Sequence, residues 1–251
     1  MSEISSDNLH HFTNGFESLE SILLNGFYPH IAEEDISFIL KEIPNARAGF
    51  PIVCFCDLPN NLLKVHKEHY GHYGISLSKE WGVRNGINPV MYVSDKNTQV
   101  MNYFRKIQQF ILNKQSIAFS ENSNNASRKD VQCILTDFLY NILCMSAFFR
   151  IYEDAKTGKR FYDEREWRYL YVDTDEQLEK QFYLSDMKNF DVEKRNRELQ
   201  RKPLLFDALD IRNIFVKTET EKELLVNNIC KDAKYKEHKT LFDGLIIVGS
   251  E

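Results

Sequence analysis

The chain has 251 residues, 43% hydrophobic and 27% charged, with only 10 Gly and 6 Pro, a composition that excludes low-complexity disorder, collagen-like repeats and disulfide scaffolds. A chain of this length buries roughly 70–75% of the surface its unfolded form exposes, enough for one large domain or one domain carrying an insert. Its 32 Lys+Arg against 37 Asp+Glu leave a net charge of -5, so there is no global basic footprint for duplex nucleic acid, and any polyanion must be gripped locally.

In chain order, Leu9 to Thr13 reads as a brief strand, and Phe16 to Leu24 as a helix with Asn14 as cap and Asn25-Gly26 as its end. Pro51 to Cys56 is a β-rich run stopped by Asp57-Leu58-Pro59-Asn60, Leu62 to His69 a short helix, and Val90 to Val93 another strand. Between about 97 and 151 two apolar-periodic stretches, Val100–Phe119 and Val131–Phe149, flank the polar loop E-N-S-N-N-A-S-R-K-D, which predicts an inserted helical hairpin. Strand character returns at Trp167 to Val172 and at Ile211 to Lys217, followed by a helix over Glu219–Ala233 and a buried terminal strand at Leu245 to Val248. The expected class is α+β, one domain over 1–251 with the insert at about 97–151. The five cysteines, Cys54, Cys56, Cys133, Cys144 and Cys230, are odd in number and scattered, as free thiols of a reducing cytosol would be. With neither a leader-like N-terminus nor a membrane-length apolar run in the sequence, a cytoplasmic location away from membranes is expected.

Three constellations carry candidate chemistry. In Y-D-E-R-E-W-R-Y, read as strand, Glu164 and Glu166 project from one face and Arg165 from the other. Two carboxylates this close raise each other's pKa and suit stabilisation of a cation or activation of a nucleophile, unless they line a solvated edge. In H-F-T, alternation puts His11 and Thr13 on one face and Phe12 on the opposite, core-facing one. In Y-G-H-Y-G-I-S-L-S, tyrosines stand between glycines, which allow close approach of a ligand or simply punctuate a turn. Cys54 and Cys56 with His66, His69 and His72 offer a competing zinc reading; packing thiols are commoner, and no metal is expected. Lys188, Lys194, Arg195, Arg197, Arg201 and Lys202 gather within fifteen positions, suited either to single-strand phosphates or, with Glu193 and Glu198, to a solvated helix.

The ordered motifs H-F-T with N-G-F, I-V-C-F-C-D-L-P, H-Y-G-H-Y-G-I-S-L-S-K-E-W-G and E-R-E-W-R-Y resemble the AbiGi family of abortive-infection (anti-phage) proteins over most of the chain. More distantly, the order His-x-Thr, Tyr/Gly strand, Glu resembles DarT-like ADP-ribosyltransferases. That second resemblance implies a mixed split β-sheet holding NAD, with His11 and Thr13 on the ribose and Tyr73 and Gly74 lining the nicotinamide pocket. On its chemistry alone, and not from the resemblance, Arg47 before P-I-V-C-F-C suits the pyrophosphate. Glu166 would be the catalytic carboxylate that stabilises an oxocarbenium-like transition state, with Glu164 acting on the acceptor. The expected function is then a phage-defence toxin transferring ADP-ribose from NAD to RNA, DNA or protein, with a cognate antitoxin as partner. The AbiGi resemblance also implies the alternative: a non-catalytic antitoxin or adaptor with a toxin as its partner.

Overall fold

A computed structural model describes residues 5–39, 45–94, 99–120, 134, 137–138, 141–173, 183–184 and 190–249. The elements run β1 (Asn8–Thr13), α1 (Phe16–Asn25), β2 (His30–Asp35), β3 (Arg47–Cys56), α2 (Leu63–Tyr70), β4 (Tyr73–Ser78), α3 (Lys79–Arg84), β5 (Asn88–Pro89), β6 (Met91–Val93) and α4 (Gln99–Ser120). They continue as β7 (Phe149–Ile151), β8 (Glu166–Leu170), β9 (Tyr183–Leu184), α5 (Val192–Leu199), β10 (Ile211–Val216), α6 (Glu219–Ile229), α7 (Lys239–Leu245) and β11 (Ile246–Val248).

Strand β3 organises the sheet because its sequence, R-A-G-F-P-I-V-C-F-C, is apolar on both faces and buried along nearly its whole length. On one edge it carries β2 over Arg47–Ile52 and β1 only at the pair His10↔Cys56. On the other it carries β8 over Ile52–Cys56 and β9 at Ala48 and Gly49. The order β11-β10-β4-β1-β3-β8-β5 completes a sheet of nine strands among the described residues; it is antiparallel apart from the β10–β11 pair. Strands β6 and β7 form a separate parallel pair. The class is α+β, and strands from before and after the insert alternate in one sheet.

Directly paired residues share a face, so the register separates two cores. Leu9, Ile75, Leu77, Val53, Phe55 and Ile214 face α1, α6 and α7, whose Leu19, Leu23, Leu225, Ile229 and Phe242 are buried against them. The opposite face carries Phe12, Cys56 and Phe215 under α2. Further along, Ala48, Phe50 and Ile52 pack with Met101, Phe104, Ile142, Ala147 and Phe149. The insert therefore supplies core to the second face. Helix is described there over α4 and residues 141–146; the Asn/Ser loop at 121–130 and much of the second stretch lie outside the described residues.

Local chemistry sets the boundaries. Helix α1 starts after Gly15, not Asn14, and ends at Gly26, whose φ of 83° is open to glycine. Helix α6 starts on a capping box between Thr218 and Glu221 and stops at Ile229, short of the expected Ala233. Strand β8 starts at Glu166, one residue before the expected Trp167. The terminal strand β11 is an edge, with Ile247 exposed.

Candidate functional site

The residues that converge are not quite those that spacing predicts. Glu164 ends a 3-10 turn (Phe161–Glu164), and Arg165 follows with a left-handed φ of 44°, so the two glutamates do not share a strand face. The turn nevertheless brings both to Arg150: its Nη1 lies 2.6 Å from Glu166 Oε2 and 3.7 Å from Glu164 Oε2. Glu166 is 6% exposed. Its Oε1 accepts from Arg168 Nε at 2.7 Å, and its Oε2 accepts from Arg168 Nη2 at 3.1 Å as well as from Arg150. Arg168, fully buried, also donates to the Ala147 carbonyl at 2.6 Å and to Glu34 at 3.1 Å. Burial alone would raise the Glu166 pKa, but the Arg168 and Arg150 charges hold it below the usual carboxylate range. Its backbone N–H donates to the Tyr92 hydroxyl at 2.8 Å.

Of these groups Glu34, Arg150, Glu164 and Glu166 line a cleft of about 260 Å³ with His10, His11, Phe12, Cys54, Cys56, His66 and Tyr70, while Arg168 lies buried behind it. Burial lowers both His10 and His66 to about 4, so their imidazoles are neutral at physiological pH. It raises the Cys54 and Cys56 thiols, which are therefore protonated and unreactive. Lys159 lies 2.8 Å from Glu164, which leaves the cleft nearly charge-balanced, with Glu34, Glu164 and Glu166 facing Arg150, Arg168 and Lys159.

His11 occupies the notch where β1 and β3 part after their single pairing. Its Nδ1–H donates to the Cys54 carbonyl at 2.8 Å, and its ring packs on Phe27 and Phe55. It also lines a cavity of about 500 Å³ on the α1 side, with Glu17 and His30. Thr13 and Tyr73 lie on that side, opposite the face bearing Glu166, because Thr13 pairs with Tyr73 and His10 with Cys56. The Tyr73 hydroxyl donates to Glu221 at 2.7 Å, and burial with that carboxylate raises its pKa to about 12. The glycines of Y-G-H-Y-G admit the protein's own chain: a Cβ on Gly74 would meet the Phe12 ring at 2.4 Å, and one on Gly71 the Thr13 carbonyl at 2.2 Å. Arg47 sits at the far end of β3 from Cys56, roughly 30 Å by strand rise, paired with Glu33 at 2.5 Å.

Lys194, Arg195, Arg197 and Arg201 belong to α5 and its end, which packs on β2 through Asn196, the acceptor for Ile31 N–H at 2.8 Å. Arg195 is buried and paired with Glu198, and Arg197 reaches Glu193 at 3.9 Å. Two of these four cations are thus paired along the helix, and Lys202 just beyond it reaches Asp173 at 3.5 Å; Lys188 lies outside the described residues. Cys54 and Cys56 do point to one side of β3, but His69 donates to its own helix at Val65, His72 is exposed, and no group of three metal-ligating side chains is found among the described residues. Sequence reasoning missed Arg150, Arg168, Glu34 and Tyr70. The signal for Arg168 was present: it alternates with Glu166 in a strand otherwise made of aromatic and aliphatic residues.

A family model described as "Putative abortive phage resistance protein AbiGi, antitoxin" matches residues 25–217. The abortive phage resistance protein AbiGi of Lactococcus lactis subsp. cremoris is 27% identical over 231 residues, covering 84% of this chain and 90% of the relative. No solved structure matches. Among the described residues, no helix is long and apolar enough to cross a membrane.

Proposed function

Because the chain belongs to the AbiGi family of abortive phage resistance proteins, we propose that it acts as the non-catalytic antitoxin of such a system, binding and restraining a toxin protein. The observation that carries this reading is the state of Glu166. Both of its oxygens are taken by guanidinium groups, those of fully buried Arg168 and half-buried Arg150. A carboxylate meant to stabilise a developing cation must have unspent negative charge directed at the substrate, whereas this one is neutralised before any substrate arrives. The family description as antitoxin supports the same reading.

A growth assay tests it. Expressed alone, the protein leaves growth unchanged; expressed with the growth-arresting protein of its own system, it restores growth. Incubated with labelled NAD, RNA, DNA and lysate protein, it transfers no label. Arrest by the protein alone, together with label transfer that Glu166→Gln abolishes, would overturn the reading in favour of ADP-ribosyl transfer from NAD.

A further inference from the structure

A second cavity, about 460 Å³, adjoins the first and shares His66, Tyr70 and Glu164 with it. It is a groove between α2 and the turn that leads into β8. One wall carries Leu62 and Val65, 46% and 63% exposed, at the start of a helix that buries only Leu63. Tyr162, 48% exposed, stands on the other. Arg165 lies between them, held in its left-handed conformation by a hydrogen bond from Asp57 N–H to its carbonyl at 3.0 Å. Its Nη1 is shut off from water and has no hydrogen-bond partner among the described residues. The neighbouring cations are engaged, Lys159 by Glu164 and Arg160 by Asp163.

Arg165 is half-buried in the lining and its guanidinium has no carboxylate partner among the described residues, so a carboxylate entering the groove meets an unpaired cation there. Aliphatic side chains exposed beside it add an apolar contact of the kind that anchors protein partners. We propose that this groove is a docking surface for a protein partner, taking a peptide segment that sets one Asp or Glu carboxylate on Arg165 and an apolar side chain against Leu62 and Val65. The choice of a protein partner rests on the antitoxin reading. The groove itself favours a peptide over a nucleic acid. A single unpaired cation matches a single carboxylate better than a run of phosphates, and Leu62 and Val65 offer nothing to a sugar-phosphate chain.

The test uses the whole protein and defined probes: a fluorescein-labelled peptide of alternating Leu and Glu, the same peptide with Gln for Glu, and labelled decauridylate, each followed by anisotropy. Binding of the acidic peptide should weaken at least tenfold in Arg165→Gln and several-fold in Val65→Ser, while Arg165→Lys retains most of it. Unchanged thermal midpoints exclude misfolding as the cause, and Val65→Ser preserves the comparison if Arg165→Gln does not fold. The proposal is overturned if the wild type does not bind the acidic peptide, binds the Gln peptide as well, or binds decauridylate more tightly. Arg165→Gln that still restores growth while losing the peptide sinks the groove and spares the antitoxin reading; peptide binding by a wild type that never restores growth does the reverse.

Discussion

Successive residues of the same strand serve opposite purposes on the two faces of the sheet. In β8, Trp167 and Tyr169 turn towards the apolar core under α1, while Glu166 and Arg168 turn to the other face, Glu166 lining the cleft and Arg168 fully buried beside it. The first face gains stability from water-free area and tolerates exchange among apolar shapes. The second spends it: each buried charge must be matched, and the matching is supplied from distant segments, Arg150 beside the insert, Glu34 in β2 and Ala147 in the chain before β7. An ionic network of this kind fixes where segments sit relative to one another more than it adds to stability.

The contrast can be broken most sharply at Glu166. Glu166→Ala strands Arg168 without its main counter-charge and should cost about 3–5 kcal/mol, read as a shift in the denaturant midpoint; a loss under 1 kcal/mol would mean that the network does not bear on stability. On the apolar face, Leu23→Ala removes a fully buried side chain and should cost about 2–5 kcal/mol, set by the cavity it leaves. Acid should separate the faces next. His10 titrates near 4 when folded against 6.5 in the unfolded chain, so the unfolded state takes up its proton first as pH falls. Its contribution is complete above about 6.5 and is lost as pH drops through about 4. This amounts to about 1 kcal/mol per pH unit within that window, and denaturation at pH 5 and 7 should show the slope shrinking in His10→Asn. The smallest effect is expected at Thr218→Ala, which removes the α6 cap at about 1 kcal/mol and should appear as a thermal shift that leaves the cleft's acid response unchanged.

The sequence made the apolar face largely readable, because period and punctuation are local: the helix from Phe16, the strand at Pro51 to Cys56 and the strand from Ile211 all follow from neighbours. It did not disclose β2, where H-I-A-E-E-D puts charges in a strand whose partner is the apolar β3, or α3, whose Gly82 exists because Leu9 packs where a Cβ would stand, 2.4 Å away. The cleft was half legible. Glu164 and Glu166 are in it, but their partners come from non-local contacts, and Arg165's left-handed backbone, which no spacing rule predicts, decides how they converge. Tyr73 shows the same limit: its hydroxyl partner, Glu221, lies 148 residues away.

The lone pairing of His10 with Cys56 carries a mechanical consequence. A continuous ladder would make the nine strands a single plate; here the ladder is interrupted along one line, where the strands themselves meet in a single pairing beside the hydrogen bond from His11 to the Cys54 carbonyl. Bending concentrates on such a line. Stiffness across that line therefore rests on side chains, on Val53 and Phe55 packed with Leu9 and Ile75 and on the Lys79–Asp57 ion pair at 2.9 Å, more than on backbone ladders, and the line runs through the wall of the cleft.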